Sequence, residues 1–258
     1  MSAVEVHHEA HGPAGAPALL LAGSLGTTLG MWEPQIGPLS ERLRVIAFDH
    51  RGHGRSPVPS GPYSIAELGG DVLALMDALK LERAAFCGLS IGGMVGQWLA
   101  INASERIEQL ILICTSSHLP PASAWRERAA AVRDAGTPAV VADAVVARWF
   151  TPEWAEAHPD LVAAHREMIC CTSSEGYASC CDAIAELDLR AGLASVAAPT
   201  LVLAGEQDNS IPASHGEAIA AAIPGARFER LEPAAHLASV ERADEVTALI
   251  TEHLEVRR

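Results

Sequence analysis

The stretch Ala85-Phe86-Cys87-Gly88-Leu89-Ser90-Ile91-Gly92-Gly93-Met94 constrains this chain more than any other. A short apolar run, long enough for one buried strand, ends in Gly88-Leu89-Ser90-Ile91-Gly92, and an apolar helix-like segment follows. A serine on so sharp a strand-to-helix turn is held in a strained backbone conformation, with its hydroxyl directed into a cleft. The residues two before and two after it must be small, because a Cβ would collide with the turn. A helix starting after Ser90 would bring backbone N–H groups and a positive dipole end beside the serine oxygen. A glycine-rich turn with an idle serine satisfies the same pattern, so the rest of the chain has to decide.

Strands and helices alternate on both sides of this turn. Residues 4–8 and Ala18–Ala22 read as strands, the second from its unbroken apolar run. A small-residue loop, Gly23-Ser24-Leu25-Gly26-Thr27-Thr28, follows. An irregular helix over 31–43, broken by Pro34, Gly37 and Pro38, leads to strand Arg44–Phe48. Ser64-Ile65-Ala66-Glu67 is a capping box and opens a helix with Ile65, Leu68, Val72, Leu75, Met76 and Leu79 on one face. Strand Ala84–Leu89, helix Ile91–Asn102 and strand 107–114 come next. This alternation predicts an α/β fold with a mostly parallel central sheet and helices on both faces. From 118 to 188 it stops, and only helices are expected, over Ala122–Ala135, 138–149, Pro159–Cys171 and 175–186. Strand character returns at 200–204 and 226–231, with helices over 211–222 and 241–254. The expected organisation is a core of residues 1–117 and 189–258 with a helical cap, 118–188, inserted in it.

Composition removes several classes of function. The net charge is −14, and Lys80 is the only lysine beside 17 arginines. Nucleic-acid phosphates call for a basic surface, so no nucleic-acid partner is expected. No run approaches the ~18 apolar residues of a membrane span, and the first residues lack the basic-then-apolar pattern of a signal peptide. A cytoplasmic protein without a membrane partner is expected. The six cysteines read as thiols, because Cys87 and Cys114 sit in apolar strands and the pairs 170–171 and 180–181 lack metal-ligand spacing. Neither a metal nor a cofactor is expected, and the oligomeric state is not legible.

A serine hydroxyl is a weak nucleophile at neutral pH and needs a base, which in turn needs a group to fix its tautomer. The strand at 200–204 runs into Gly205-Glu206-Gln207-Asp208, and the strand at 226–231 runs into Glu232-Pro233-Ala234-Ala235-His236. Serine, acid and histidine thus follow successive strand ends, in the order of a hydrolase triad. Ser90, Asp208 and His236 are the candidate catalytic residues. Glu206 competes with Asp208 but lies nearer the strand. His50 and His53, in Asp49-His50-Arg51-Gly52-His53-Gly54-Arg55-Ser56, are expected to support the site rather than react. The oxyanion hole is assigned to the backbone N–H groups of Ile91 and Leu25.

Over nearly its full length the chain resembles the α/β-hydrolases, and among them 3-oxoadipate enol-lactonases. The narrower resemblance rests on Ser24-Leu25-Gly26-Thr27-Thr28 with Met31-Trp32, on Gly88-Leu89-Ser90-Ile91-Gly92-Gly93-Met94-Val95-Gly96-Gln97-Trp98-Leu99-Ala100, and on Arg148-Trp149-Phe150. Two departures stand out. Gly23-Ser24 replaces the His-Gly common before the oxyanion residue, and the usual N-terminal hairpin is shortened. The resemblance implies an enzyme that opens a five-membered enol-lactone bearing an acetate arm. It also implies a partner for that carboxylate, for which Arg133 and Arg148 are candidates, with Trp125 and Trp149 as apolar walls. A general carboxylesterase, a cofactor-free perhydrolase and a non-catalytic ligand-binding protein share the same fold and remain alternatives.

Overall fold

A computed structural model describes residues 2–255. Seven strands form one sheet: β1 (His8–His11), β2 (Ala18–Ala22), β3 (Arg44–Phe48), β4 (Ala84–Leu89), β5 (Ile107–Ile113), β6 (Thr200–Gly205) and β7 (Arg227–Leu231). Their spatial order is β1-β3-β2-β4-β5-β6-β7. Every neighbouring pair is parallel except β1 with β3. Strands β4 and β6 are buried along their whole length, as continuous apolar strands of a parallel sheet covered on both faces must be. Because β2 to β7 run the same way, their carboxyl ends share one edge. The loops after β2, β3, β4, β6 and β7 therefore converge there, where open α/β sheets hold ligands.

The helices are α1 (Glu33–Ser40), α2 (Ile65–Ala78), α3 (Ile91–Asn102), α4 (Ala122–Ala135), α5 (Ala139–Val146), α6 (Pro152–Ala157), α7 (Pro159–Cys171), α8 (Ser174–Ala185), α9 (Ala213–Ala222), α10 (Ala238–Glu241) and α11 (Ala243–Glu255). Helices α4 to α8 all lie between β5 and β6. The capping box of α2 is complete: Glu67 N–H donates to Ser64 Oγ at 3.2 Å, and Ser64 N–H to Glu67 Oε2 at 2.9 Å. Arg51, in the loop after β3, is tied to α2 by a two-pronged ion pair with Asp71. Both Nε–Oδ2 and Nη2–Oδ1 measure 2.6 Å, and both side chains are buried. The six cysteines stand as free thiols. No helix among the described residues is long and apolar enough to cross a membrane.

Three expectations need correction. The first strand is His8–His11, not residues 4–8, and it pairs antiparallel with β3. Residues 4–7 are engaged otherwise: Val4 N–H donates to Asp71 Oδ1 and His7 N–H to Ser56 Oγ, both at 2.8 Å. Those side-chain acceptors satisfy the donors that a ladder would use. Helix α6 was not expected. Pro152 and Pro159, each at the start of a helix, divide the chain after Trp149 into two pieces, since proline suits a first turn but not an interior. The terminal helix breaks at Arg242 into α10 and α11.

Candidate active site

Ser90 has φ 59° and ψ −118°, a region that L residues avoid and that costs on the order of 1–3 kcal/mol. The surrounding contacts enforce it. Ser90 N–H donates to Ile113 O at 2.9 Å, and Thr115 Oγ1 donates to Ser90 O at 2.7 Å. A Cβ on Gly88 would lie 2.2 Å from the Gly92 carbonyl oxygen, and one on Gly92 would lie 2.2 Å from that of Ala22. The two glycines of the motif are thus needed because backbone passes against backbone, on one side within the turn and on the other against β2.

Asp208 and His236 meet at the neighbouring strand ends. His236 Nδ1 lies 2.7 Å from Asp208 Oδ2. The other carboxylate oxygen accepts the N–H groups of Ser210 at 2.7 Å and Ile211 at 2.9 Å. With all these bonds made, the Asp208 carboxylate cannot turn, and the imidazole keeps its proton on Nδ1. Nε2 is then the lone-pair nitrogen. Glu206, the competing acid, is on the surface in an ion pair with Arg230.

The loop after β2 is pinned from several sides. Gly23 O accepts Gly92 N–H at 3.2 Å and lies 3.1 Å from His50 Nε2. Ser24 N–H points to Met31 Sδ at 3.3 Å, and Gly26 N–H donates to His53 Nε2 at 3.0 Å. Leu25 sits between these anchored neighbours and faces the same cavity as Ser90.

That cavity measures about 60 Å³, and Ser24, Leu25, Ser90, Trp125, Arg128, Arg148, Trp149, Tyr177 and His236 are among its lining residues. One water needs roughly 10–15 Å³ on this scale, so the space suits a compact molecule and not a long acyl chain. The Arg148 Nε is buried without a protein hydrogen-bond partner, and the buried Tyr177 hydroxyl has the Arg128 guanidinium beside it. Burial, reinforced by the Arg128 cation, lowers the Arg148 pKa, and burial raises that of Tyr177. An anion placed between these groups would reverse the strain on the Arg148 charge.

The alpha/beta hydrolase fold family model matches residues 17–148 and 161–243. The chain belongs to the α/β-hydrolase family. It is similar to 3-oxoadipate enol-lactonase 2 of Acinetobacter baylyi, 43% identical over 240 residues, covering 93% of this chain and 89% of that protein. The crystal structure of the enol-lactonase from Burkholderia xenovorans LB400 matches with a TM-score of 0.95 and 42% identity, covering 97% of this chain and 96% of that one. A protein named as carbamate hydrolase RutD, from Variovorax paradoxus, is 32% identical over 244 residues, covering 92% of this chain and 91% of its own.

In this α/β-hydrolase the sequence-expected wall residues Trp125, Arg148 and Trp149 line the cavity, and Arg133 does not. Arg133 lies on the outer side of α4, with Nη2 2.7 Å from Asp182 and Nε 3.2 Å from Glu175. The cavity-facing arginine of that helix is Arg128, stacked over Trp125 at 4.6 Å from the ring centroid. The way α4 docks against α8, the helix of Glu175 and Asp182, makes the difference. At 3.6 residues per turn, Arg128 and Arg133 are about 140° apart around the axis. The buried Ala129 and Val132 lie midway between the two, so the periodicity of α4 does not choose between these arginines.

His50 and His53 act on the backbone of the loop after β2, and both are neutral. Burial pulls the pKa of each from 6.5 down to about 4. For His50 the Gly23 carbonyl opposes that shift, and for His53 the His50 ring adds to it. His53 Nε2 must stay unprotonated to accept from Gly26. The unfolded chain binds these protons near pH 6.5 and the folded chain only near 4. Their contribution to stability is therefore full above pH 6.5 and is lost as the pH falls to about 4. It amounts to about 3 kcal/mol per histidine over the whole window. Urea midpoints at pH 7.5 and 5 should show the fall, and His53→Gln, which keeps an acceptor, should roughly halve it. Equal wild-type midpoints at the two pH values would contradict this account.

Proposed function

We propose that this α/β-hydrolase opens a small enol-lactone carrying a carboxylate, 3-oxoadipate enol-lactone, to 3-oxoadipate through an acyl-enzyme on Ser90, as a step in aromatic-compound catabolism. It is a hydrolase of ester bonds. One observation carries the narrower reading: a compact cavity unites Ser90 and His236 with two arginines, one of which, Arg148, has a buried Nε without a protein partner. A neutral ester needs no such cationic wall. A lactone with an acetate arm does, because the −14 charge of the chain repels anions everywhere else.

The proposed chemistry gives each of these residues a role. His236 Nε2 takes the Ser90 proton as Oγ attacks the lactone carbonyl. The N–H groups of Leu25 and Ile91 receive the oxyanion, and a donor of this kind is worth on the order of 10²–10³ in rate. His236 returns the proton to the departing enol oxygen, and the enol becomes the ketone. A water deprotonated by His236 then releases the acid from Ser90. Asp208 stays ionised and stabilises the imidazolium. Arg148 and Arg128 hold the carboxylate, and Trp125 and Trp149 close over the apolar part.

A panel of the enol-lactone, p-nitrophenyl acetate and a simple carbamate tests the proposal. The enol-lactone should be preferred by at least ~10²-fold in kcat/KM, since a charged group left without its partner in a buried site costs about 3 kcal/mol or more. Arg148→Gln should raise KM for the enol-lactone at least ~10-fold and leave p-nitrophenyl acetate turnover unchanged. A preference for the neutral ester or the carbamate would overturn the assignment.

A further inference from the structure

The backbone on both sides of His236 is held by groups that the reaction above does not use. Ala235 N–H donates to Glu241 Oε2 at 2.8 Å. Leu237 N–H donates to Trp149 O at 2.9 Å. Glu241 is itself buried, at 8% exposure, at the end of α10. Its other oxygen, Oε1, accepts Thr151 N–H at 3.2 Å and is also hydrogen-bonded by the Thr151 hydroxyl. Thr151 is two residues after Trp149, which lines the cavity, and both are buried. A single carboxylate thus joins the loop that carries His236 to the segment that carries the Trp149 wall.

A buried carboxylate is expensive unless every oxygen is satisfied, and here two chain segments far apart in sequence supply the donors. Neither segment could satisfy Glu241 alone. The ring of His236 is fixed by Asp208 at Nδ1, but the direction in which Nε2 points also depends on the peptides at 235 and 237. Those two peptides are bonded to Glu241 and to Trp149, so base and wall keep one relative position.

We propose that Glu241 is a positioning residue for the reaction: by bonding Ala235 and Thr151 at once, it aligns His236 with Ser90 and sets the Trp149 wall against the substrate. This rests on the reading of His236 as the general base. Glu241 touches neither Ser90 nor the substrate and acts only through its two neighbours. The wall between β5 and β6 is consequently fastened to the core at this edge.

The test compares Glu241→Gln, Thr151→Val and His236→Ala with wild type, each normalised to folded, competent sites by the p-nitrophenyl acetate burst where one is formed and by circular dichroism otherwise. Glutamine offers one accepting oxygen where glutamate offers two, so Glu241→Gln must lose one of the two links. A misplacement of about 1 Å at the reacting groups costs on the order of 10²-fold. Glu241→Gln should lower kcat 10- to 100-fold per competent site. Thr151→Val keeps the Ala235 link and the backbone N–H bond of position 151 but deletes the hydroxyl's bond to Oε1, and should raise KM three- to tenfold with kcat changed less than threefold. A role in stability alone would lower the melting temperature of Glu241→Gln and leave kcat per folded site within twofold of wild type. That result would overturn the proposal. If Glu241→Gln does not accumulate as folded protein, Thr151→Val decides, and a KM within 1.5-fold of wild type overturns it. His236→Ala separates the mechanism from the role of Glu241. Turnover retained there sinks the mechanism itself, whereas a dead His236→Ala beside a wild-type-like Glu241→Gln sinks only the role of Glu241.

Discussion

Ser90→Ala should abolish hydrolysis of the enol-lactone and of p-nitrophenyl acetate while leaving the fold and the melting temperature nearly unchanged. The loss expected for removing a serine nucleophile is on the order of 10⁴–10⁶ in kcat. The residual rate would come from the oxyanion donors and substrate positioning. The fold should survive because Ser90 is held by its backbone, through Ile113 O and Thr115 Oγ1, and its side chain supports nothing. Alanine at a position with φ 59° keeps about the same strain as serine, so stability should change by less than about 1 kcal/mol. The measurement is single-turnover and steady-state kinetics beside thermal melts. A variant with more than about a tenth of wild-type turnover would remove Ser90 from the mechanism and with it the acyl-enzyme.

Asp208→Asn should lower kcat by about 10⁴-fold with little change in structure. An asparagine that kept the Ser210 and Ile211 N–H bonds on its oxygen would turn its amide N–H toward His236 Nδ1. The imidazole would then carry its proton on Nε2 and could not accept one from Ser90. The contrasting variant is Glu206→Gln. Glu206 is engaged with Arg230 at the surface, and exposed pairs contribute about 0–1 kcal/mol, so activity should stay within twofold. Activity lost in Glu206→Gln and kept in Asp208→Asn would exchange the roles of the two acids.

Much of the framework is readable without the structure. β2, β3 and β4 have the limits expected from their apolar runs, and α2, α3, α4 and α7 begin where the capping box, the serine turn or a proline suggests. Such features are local. They depend on residues within one turn or one strand, and burial on both faces of a parallel sheet makes the apolar runs plain. The exceptions are also physical. Residues 4–8 have strand-like alternation, but the side chains of Asp71 and Ser56 compete for their N–H groups, and these partners lie far away in sequence. Arg128 takes the place expected for Arg133 because α4 docks with Arg133 against Glu175 and Asp182 of α8, which the periodicity of α4 does not fix. Glu241 had no local signal, since its partners are Ala235 and, 90 residues earlier, Thr151.

The amino-acid order alone settles the class of fold, the strained turn at Ser90 and the succession of serine, acid and histidine at strand ends. These are properties of short segments, set by backbone sterics and hydrophobic periodicity. Tertiary packing was needed to decide which arginines face Ser90, that Arg133 is engaged elsewhere, and that Glu241 ties the His236 loop to the Trp149 wall. Those facts depend on how helices between β5 and β6 are rotated and docked against the sheet edge. Docking is fixed by the sum of many contacts between residues distant in sequence, and no single segment carries it.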